Sequence, residues 1–242
     1  MGDLPITELK PEQAGLININ KENFDITLKR DGTLIYFRNG RLFSPRCDRS
    51  DRFRHILKLL IDENFPNCIG EMFIDKPSAC VFDVSRKENW AIAKFMPFDI
   101  IDNNLNYIER QKLLAEKICS LNNNFIVPVT KFNTFKEGWD YVLANEQEGL
   151  VIRNKLNPNN WLKIKLLKET KVEIREHEKG KDKGTFILVD GNSISGTSLE
   201  YVEQFFEIEA RGNKAIAECE FPFYTDEGKM FQPRLRQITE IK

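Results

Sequence analysis

The pattern of apolar runs and turn residues changes near residue 167, and this change constrains the fold more than any other feature. Before it, short alternating apolar runs predict strands, and runs with apolar residues three and four apart predict helices. After it, short β-rich runs are separated by turn clusters such as EKGKDKG, DGNSISG and DEGK. We therefore predict an α+β domain over residues 1–167, followed by a small all-β domain over residues 168–242 whose length suits an OB-fold barrel.

Individual elements can be predicted within this outline. The alternating stretch Phe24–Lys29 predicts a strand, and the Asn-Gly dipeptide in TLIYFRNGRLF predicts a hairpin with a type I′ turn. Residues 51–63 carry apolar side chains at near-helical spacing, with Ser50 or Asp51 available as the N-cap. In the second domain, Phe205–Ala210 is predicted as one of the short strands.

Composition excludes several classes of protein. No uninterrupted apolar run approaches the roughly 18 residues of a membrane-spanning helix, and the N-terminus MGDLPITELK has no features of a secretory signal. The five cysteines form no CxxC pair and there are only two histidines, which disfavours a structural zinc site. We expect no membrane association and a reducing cytoplasmic location, which includes a nucleoid or a viral replication site.

Basic residues are concentrated in one segment, although the net charge of the whole chain is −1. Residues 29–58 contain nine lysines and arginines against three aspartates, a local excess of six positive charges. Phosphate binding requires a basic surface in one place rather than a basic protein. The same excess is also typical of a solvated helix face, so charge alone leaves both interpretations open.

Five short motifs occur in a fixed order within the first domain. They are KRDG at 29–32, IGEMF at 69–73, FMPFDII at 95–101, EQEGLV at 146–151 and WLKIK at 161–165. Each is weak by itself, but together they resemble the nucleotidyltransferase motifs I, III, IIIa, IV and V of the superfamily of DNA ligases, RNA ligases and mRNA capping enzymes. The resemblance covers residues 24–167, and more loosely the remainder. It implies that the α+β domain is a nucleotidyltransferase (adenylation) domain.

The residue chemistry agrees with this resemblance. A lysine can attack the α-phosphate of ATP and hold AMP as a phosphoramidate, provided that its amine is neutral. Lys163 and Lys165 alternate on one strand face, where they would favour a neutral neighbouring amine and bind the α-phosphate. Glu71 and Glu148 offer hard oxygen ligands for Mg²⁺.

The resemblance implies specific roles for these residues. Lys29 is the nucleophile, Phe98 stacks on adenine, Glu148 faces the metal, and Glu71 faces the metal or the ribose. The cofactors are ATP and Mg²⁺ or Mn²⁺. The residues expected around the nucleotide are Thr27, Lys29, Arg46, Glu71, Phe98, Lys163 and Lys165.

Local features favour a DNA ligase within the superfamily. The run LFSPRCDRSDRFRHI resembles the segment that places an arginine, here Arg46, near the 5′-phosphate or the ribose. FDIIDNNLNYIERQKLL and EGLVIRNK resemble the DNA-ligase versions of their motifs. However, Leu34 in KRDGTL stands where many DNA ligases have an arginine, and this hexapeptide resembles some RNA ligases. RNA ligase is therefore the alternative; a capping enzyme fits the flanks less well, and a non-catalytic nucleic-acid-binding protein is the alternative from another class.

The expected partner is nicked duplex DNA, which could contain RNA. We expect a minimal, monomeric enzyme, because neither end leaves length for a further domain. The residues expected to contact nucleic acid are Arg30, Arg46, Arg49, Arg52 and, in the second domain, Lys181. The segment GKMFQPRLRQITEIK resembles motif VI, which would give Arg234, Arg236 or Lys242 a role in orienting pyrophosphate.

Overall fold

The computed structural model describes residues 6–9, 11, 19, 22–76, 81–102, 104–121, 123–159, 161–180, 184–225 and 227–241. Lys181 and Lys242, both named above, lie outside this described part. The chain divides into two compact units, Met1–Lys165 (unit 1) and Leu166–Lys242 (unit 2).

Unit 1 contains two sheets. The first has the strand order β1 (Ile6–Leu9), β9 (Trp161–Lys165), β8 (Gly149–Asn154), β2 (Phe24–Lys29) and β7 (Lys131–Phe132). The second has the order β4 (Arg41–Phe43), β3 (Thr33–Arg38), β5 (Cys68–Phe73) and β6 (Lys94–Ile100). All pairings are antiparallel except that of β1 with β9.

Helices pack against these sheets. They are α1 (Arg54–Asp62), α2 (Val81–Ser85), a 3₁₀-helix (Lys87–Ile92), α3 (Tyr107–Ser120) and α4 (Phe135–Ala144). Ile56 and Leu60 of α1 are fully buried in one core with Ile35 of β3 and Met72 of β5. No helix in the described part of the chain has both the length and the apolar character needed to cross a membrane.

The predicted hairpin is confirmed, whereas the predicted N-cap is wrong. Asn39 and Gly40 have φ values of 49° and 70°, as both central residues of a type I′ turn require. Helix α1 begins at Arg54, with Phe53 as an N-cap that makes no side-chain hydrogen bond. Ser50 and Asp51 lie too far before the helix to cap it: the Ser50 hydroxyl oxygen accepts a hydrogen bond from the Leu42 N–H at 2.9 Å, and Asp51 pairs with Arg54 at 2.9 Å.

Unit 2 is a five-stranded antiparallel sheet with one helix between its third and fourth strands. The elements are β10 (Lys168–Glu178), β11 (Gly184–Leu188), β12 (Ser193–Thr197), α5 (Leu199–Ala210), β13 (Lys214–Phe221) and β14 (Arg234–Ile241). The strand order is β12, β11, β10, β13, β14. Phe186, Phe205 and Phe221 are fully buried in its core.

The predicted strand at Phe205–Ala210 is wrong, and unit 2 is therefore not all-β. These residues form the second half of α5. The short run FFEIEA alternates over six residues, but Val202, Phe205 and Ile208 follow the helical period over a longer window and pack into the core. Gly212, at φ 75°, follows the helix end.

Candidate active site

Three rungs of side chains run across one face of the first sheet in unit 1. The pairing of β2 with β8, and of β8 with β9, aligns residues two apart on each strand. Paired residues of antiparallel strands point to the same face, and successive rungs lie about 7 Å apart. The lysine rung is Lys29, Gly149 and Lys165; the middle rung is Thr27, Val151 and Lys163; the aspartate rung is Asp25, Arg153 and Trp161.

This face borders a cavity of about 300 Å³. The second sheet contributes Leu34, Glu71 and Met96, which are aligned by strand pairing, together with Phe98. Further lining comes from Arg30, Tyr107, Gln111 and Lys131. The cavity therefore has cations at the lysine rung and aromatic side chains at the aspartate rung.

Glu148 joins two of the predicted lysines. The Nζ atom of Lys29 donates to Oε2 of Glu148 at 2.5 Å, and Nζ of Lys165 lies 3.9 Å from Oε1. All three side chains are largely buried, with 14–24% of their surface exposed. The motif at the end of β2 and the motif before β8 are thus brought together as one charged cluster.

Two further carboxyl groups near Lys29 are held partly protonated. Burial raises the pKa of Glu71 to about 8, with repulsion from Glu148 and Asp31 acting in the same direction. Burial and repulsion by Glu148 raise the pKa of Asp31 to about 6, although Lys29 and the Val81 N–H act against them. Burial, which is the largest cause for both groups, thus reduces the negative charge that Glu71 and Asp31 place beside Lys29.

The cation of Lys163 is also disfavoured. Burial lowers the pKa of Lys163, and the positive charges of Lys29 and Lys165 lower it further. An anion beside these amines, such as a phosphate, would relieve this repulsion and favour the charged form. The middle and lysine rungs therefore form a site that is electrostatically suited to a phosphate group.

The aspartate rung is rigidly supported. Arg153, only 5% exposed, stacks on Trp161 with its guanidinium carbon 3.7 Å from the ring centroid and pairs with Asp99 at 3.1 Å. Phe98 meets Trp161 edge to face at a centroid distance of 5.3 Å. The Tyr107 hydroxyl donates to Asp25, and burial together with this bond raises the pKa of the phenol, which keeps its proton.

Two motif glycines are explained by close backbone contacts. A Cβ atom at Gly32 would lie 2.3 Å from the Met72 carbonyl oxygen. At Gly149, which has a φ of 151°, it would lie 2.0 Å from the Ile164 carbonyl oxygen. Any side chain at either position would separate strands that carry the cluster.

Of the residues predicted around the nucleotide, the structure brings most together. Thr27, Lys29, Glu71, Phe98 and Lys163 line the cavity, while Glu148 and Lys165 extend the cluster beside it. The Thr27 hydroxyl donates to the Val151 carbonyl at 3.0 Å. Arg46, by contrast, is exposed in the turn after β4 and is not among the lining residues.

The other predicted arginines have varied surroundings. Arg30 lines the cavity, donates to Gln147 at 3.0 Å and lies over Phe73. Arg49 donates to the Ser44 hydroxyl at 3.2 Å, and Arg52 lies over the Trp90 ring. In unit 2, Arg234 and Arg236 are exposed on β14, with Arg236 paired to the buried Glu220 at 2.6 Å.

Sequence reasoning missed the residues that build the aspartate rung and its support. Asp25, Tyr107 and Arg153 are isolated in the sequence, and only strand register reveals that they converge. Asp31 was quoted within KRDG but assigned no role, although its motif position next to Lys29 was a usable signal.

A metal ion would need ligands from a bound phosphate at this site. Within the described residues, no three histidine, cysteine, aspartate or glutamate side chains are grouped so that they could hold one. Mg²⁺ commonly uses one or two carboxylates together with phosphate oxygens and water. Glu71 and Glu148 fit that requirement when a nucleotide supplies the remaining oxygens.

Comparison with solved structures shows the fold of this chain, whereas comparison of its sequence with protein families finds no match. The sequence matches no protein-family model and no curated protein. A solved structure from a structure–function study of Lig E DNA ligases, concerning DNA binding with a minimal scaffold, is similar over 99% of this chain and 100% of its own. Its identity is 16% and its TM-score 0.71.

Two mycobacterial structures are also similar. The ligase domain of LigD from M. tuberculosis has 15% identity and a TM-score of 0.53, with 97% of this chain and 94% of that chain covered. Mycobacterial DNA ligase D complexed with ATP has 15% identity and a TM-score of 0.54, with 98% and 95% covered. The chain therefore has the fold of the catalytic core of ATP-dependent DNA ligases, as the order of its motifs predicted.

Proposed function

We propose that this chain is an ATP-dependent DNA ligase that seals nicks in duplex DNA through a covalent lysyl-AMP intermediate. The fold supports a ligase, and one observation supports the chemistry above all others. Lys29, Glu148 and Lys165 form a single cluster at one end of a cavity whose other end carries Phe98 and Trp161. A nucleotide with its phosphates at the lysines has an aromatic surface available for its base.

The first step forms one bond and breaks one. The neutral amine of Lys29 attacks the α-phosphorus of ATP, an Nζ–P bond forms, and the bond to the β-phosphate oxygen breaks to release pyrophosphate, while one N–H proton of the amine is lost to solvent. Lys163 and Lys165 stabilise the negative charge that develops on the α-phosphate oxygens. Glu148, in contact with the Lys29 amine, orients it before attack.

The remaining two steps transfer AMP and then release it. An oxygen of the DNA 5′-phosphate attacks the same phosphorus, and the Nζ–P bond breaks to restore Lys29. The adjacent 3′-hydroxyl then attacks the 5′-phosphate, a phosphodiester bond forms, and AMP leaves. Arg30, at the cavity beside Lys29, is suited to contact the DNA phosphate during these steps.

Mg²⁺ or Mn²⁺, when bound, would neutralise phosphate charge and stabilise pyrophosphate as a leaving group. Glu71 and Glu148 would hold it.

Unit 2 is proposed to be an OB-fold, and the basic segment 29–58 of unit 1 is proposed to bind DNA phosphates. Five antiparallel strands with a helix between the third and fourth support that assignment. Arg49, Arg52 and Arg46 are proposed to contact DNA phosphates, as are Lys181, Arg234 and Arg236 in unit 2. We also propose that residues 1–167 and 168–242 are separate domains. The protein is proposed to be a monomer located in the cytoplasm.

RNA ligase is the second candidate, supported by one observation. Leu34 is aligned with Glu71 and lines the cavity, so an apolar side chain stands where many DNA ligases carry an arginine. Both candidates share the lysyl-AMP chemistry and differ only in the nick that they seal.

The deciding experiment is sealing of a 5′-phosphorylated nick with ATP and Mg²⁺. All-DNA, DNA–RNA hybrid and all-RNA duplexes are compared for the wild type, for Lys29→Ala and for Lys136→Ala, a control lysine that is 84% exposed on α4. The control should seal normally, while Lys29→Ala should neither seal nor gain the mass of AMP.

Each outcome identifies one function. Sealing of the DNA nick at least as fast as the others supports the DNA ligase. Preference for the RNA nick favours the RNA ligase instead. A wild-type protein that neither seals any nick nor gains AMP would overturn both.

A further inference from the structure

At the aspartate rung, the cavity is lined by a carboxylate, that of Asp25, which the proposed mechanism does not use. We call this end of the cavity the base end. Asp25 lies on the same strand face as Lys29, four residues earlier, which corresponds to about 13 Å along β2. Phosphoryl chemistry at Lys29 involves only the lysine and middle rungs. The aspartate rung is therefore free to serve another purpose.

The direction of a bound nucleotide follows from the two ends of the cavity. With the α-phosphate at Lys29, a base that stacks on Phe98 extends toward the aspartate rung, because Phe98 contacts Trp161 and lies 5.8 Å from Arg153. The edge of the base then faces Asp25. This step rests on the proposed adenylation at Lys29.

The Asp25 carboxylate is held in place and keeps capacity to accept. Its Oδ2 atom accepts from the Tyr107 hydroxyl, while its Oδ1 atom lies 3.8 Å from Nζ of Lys155. An ionised carboxylate has about four acceptor sites, so these partners leave some available. Only 15% of the side chain is exposed, which makes an unpaired polar group facing it costly.

The chemistry of purine bases makes this carboxylate selective. Adenine carries an exocyclic amine at position 6, which donates hydrogen bonds. Hypoxanthine and guanine carry a carbonyl oxygen there, which would face a carboxylate as one acceptor against another. The nearby guanidinium of Arg153 is held by Asp99 and by stacking on Trp161.

We propose that Asp25 is the residue that selects the nucleobase, because its carboxylate accepts a hydrogen bond from the exocyclic amine of adenine. Tyr107 is a positioning residue that fixes the orientation of this carboxylate.

The experiment measures nucleotide preference rather than activity alone. Equilibrium binding of ATP, ITP and purine riboside 5′-triphosphate, which lacks the amine, is measured by calorimetry on the full chain carrying Lys29→Ala. The same titrations are made with Asp25→Ala, Asp25→Asn or Tyr107→Phe added. In parallel, chains that retain Lys29 are discharged with pyrophosphate, and the covalent mass gained from each nucleotide is followed.

The expected result is a change in the ratio of the affinities for ATP and for the two other nucleotides. The Lys29→Ala chain with Asp25 present should bind ATP about tenfold to a hundredfold more tightly than purine riboside triphosphate, the range for a hydrogen bond to a charged group. Asp25→Ala should reduce this ratio to about twofold or less. Asp25→Asn, whose amide can donate to a carbonyl, should shift preference toward ITP, whereas Tyr107→Phe, which removes the hydrogen bond that orients the carboxylate, should lower the preference for ATP without reversing it.

Other outcomes overturn the proposal. If Asp25→Ala weakens all three nucleotides equally and leaves the ratio unchanged, Asp25 only supports Tyr107 and selects nothing. Failure of the proposed function has a different signature, since the wild type would then gain no nucleotide mass while the binding ratios still test Asp25. A covalent adduct with unchanged ratios overturns the inference alone.

Discussion

Glu71 is expected to make unit 1 less stable as the pH rises, and Glu71→Gln should remove this dependence. In the unfolded chain the carboxyl ionises near its ordinary pKa of 4.5, whereas burial raises the folded pKa to about 8. Below pH 4.5 both states are protonated. Between these values the unfolded state is ionised and the folded state is not, so stability falls with rising pH; above about 8 the loss is complete.

The magnitude follows from the two pKa values. At 1.36 kcal/mol per pH unit, the interval from 4.5 to about 8 corresponds to at most about 5 kcal/mol. Glu71 is only partly buried by surface area, and Asp31 and Glu148 share the repulsion, which reduces the effect. We expect Glu71→Gln to be more stable than the wild type by on the order of 2–4 kcal/mol at pH 8.5, with much less difference at pH 5.

Urea unfolding followed by tryptophan fluorescence is the appropriate assay. All three tryptophans, Trp90, Trp139 and Trp161, lie in unit 1, so the signal is specific to that unit. Glu116→Gln, at an exposed position of α3, is the matched control and should change stability little at either pH. A difference between Glu71→Gln and the wild type that is equal at pH 5 and pH 8.5 would refute the reasoning.

Three further predictions test other parts of unit 1. Gly149→Ala should destabilise it by about 3 kcal/mol or more in the same urea assay, because the new Cβ would meet the Ile164 carbonyl oxygen; a loss under about 1 kcal/mol would contradict this. Phe98→Leu should weaken ATP binding about two- to tenfold by calorimetry through lost stacking, and unchanged affinity would exclude contact with the base. DNA affinity should fall steeply with salt in fluorescence anisotropy, and Arg52→Ala should reduce the slope of log K against log salt by about one; an unaltered slope would remove Arg52 from the interface.

The proximity of the lysine residues in the candidate site could be predicted from sequence because these residues occur in short local motifs. Lys29 occurs in a four-residue motif, and Lys163 and Lys165 share a strand face through simple alternation. Lys29 and Lys165 both contact Glu148, and predicting these contacts required only the knowledge that the motifs belong to one known fold. The family resemblance supplied that fold, and comparison with solved structures confirmed it.

The error at α5 has a different origin. Alternation over the six residues of FFEIEA satisfied the strand pattern, although the helical pattern began earlier at Leu199. A short window cannot separate the two periods when bulky apolar residues are adjacent, as Phe205 and Phe206 are. Packing in the core favours the helix, because a helix buries Phe205 and Ile208 while leaving Phe206 half exposed.

The residues of the aspartate rung could not be predicted, because only the register of strand pairing brings them together. Asp25 and Arg153 become neighbours only when β2 pairs with β8 in one register, and a shift of β2 by one residue would place the two side chains on opposite faces of the sheet. The same register aligns Lys29 with Gly149, where the backbone contact at Ile164 leaves no room for a side chain. Close packing at the lysine rung therefore helps to fix the register, and with it the geometry of the aspartate rung. Asp25 lies two rungs from Lys29 on the same strand, so a substitution at Asp25 tests nucleotide preference without replacing any residue of the lysine cluster.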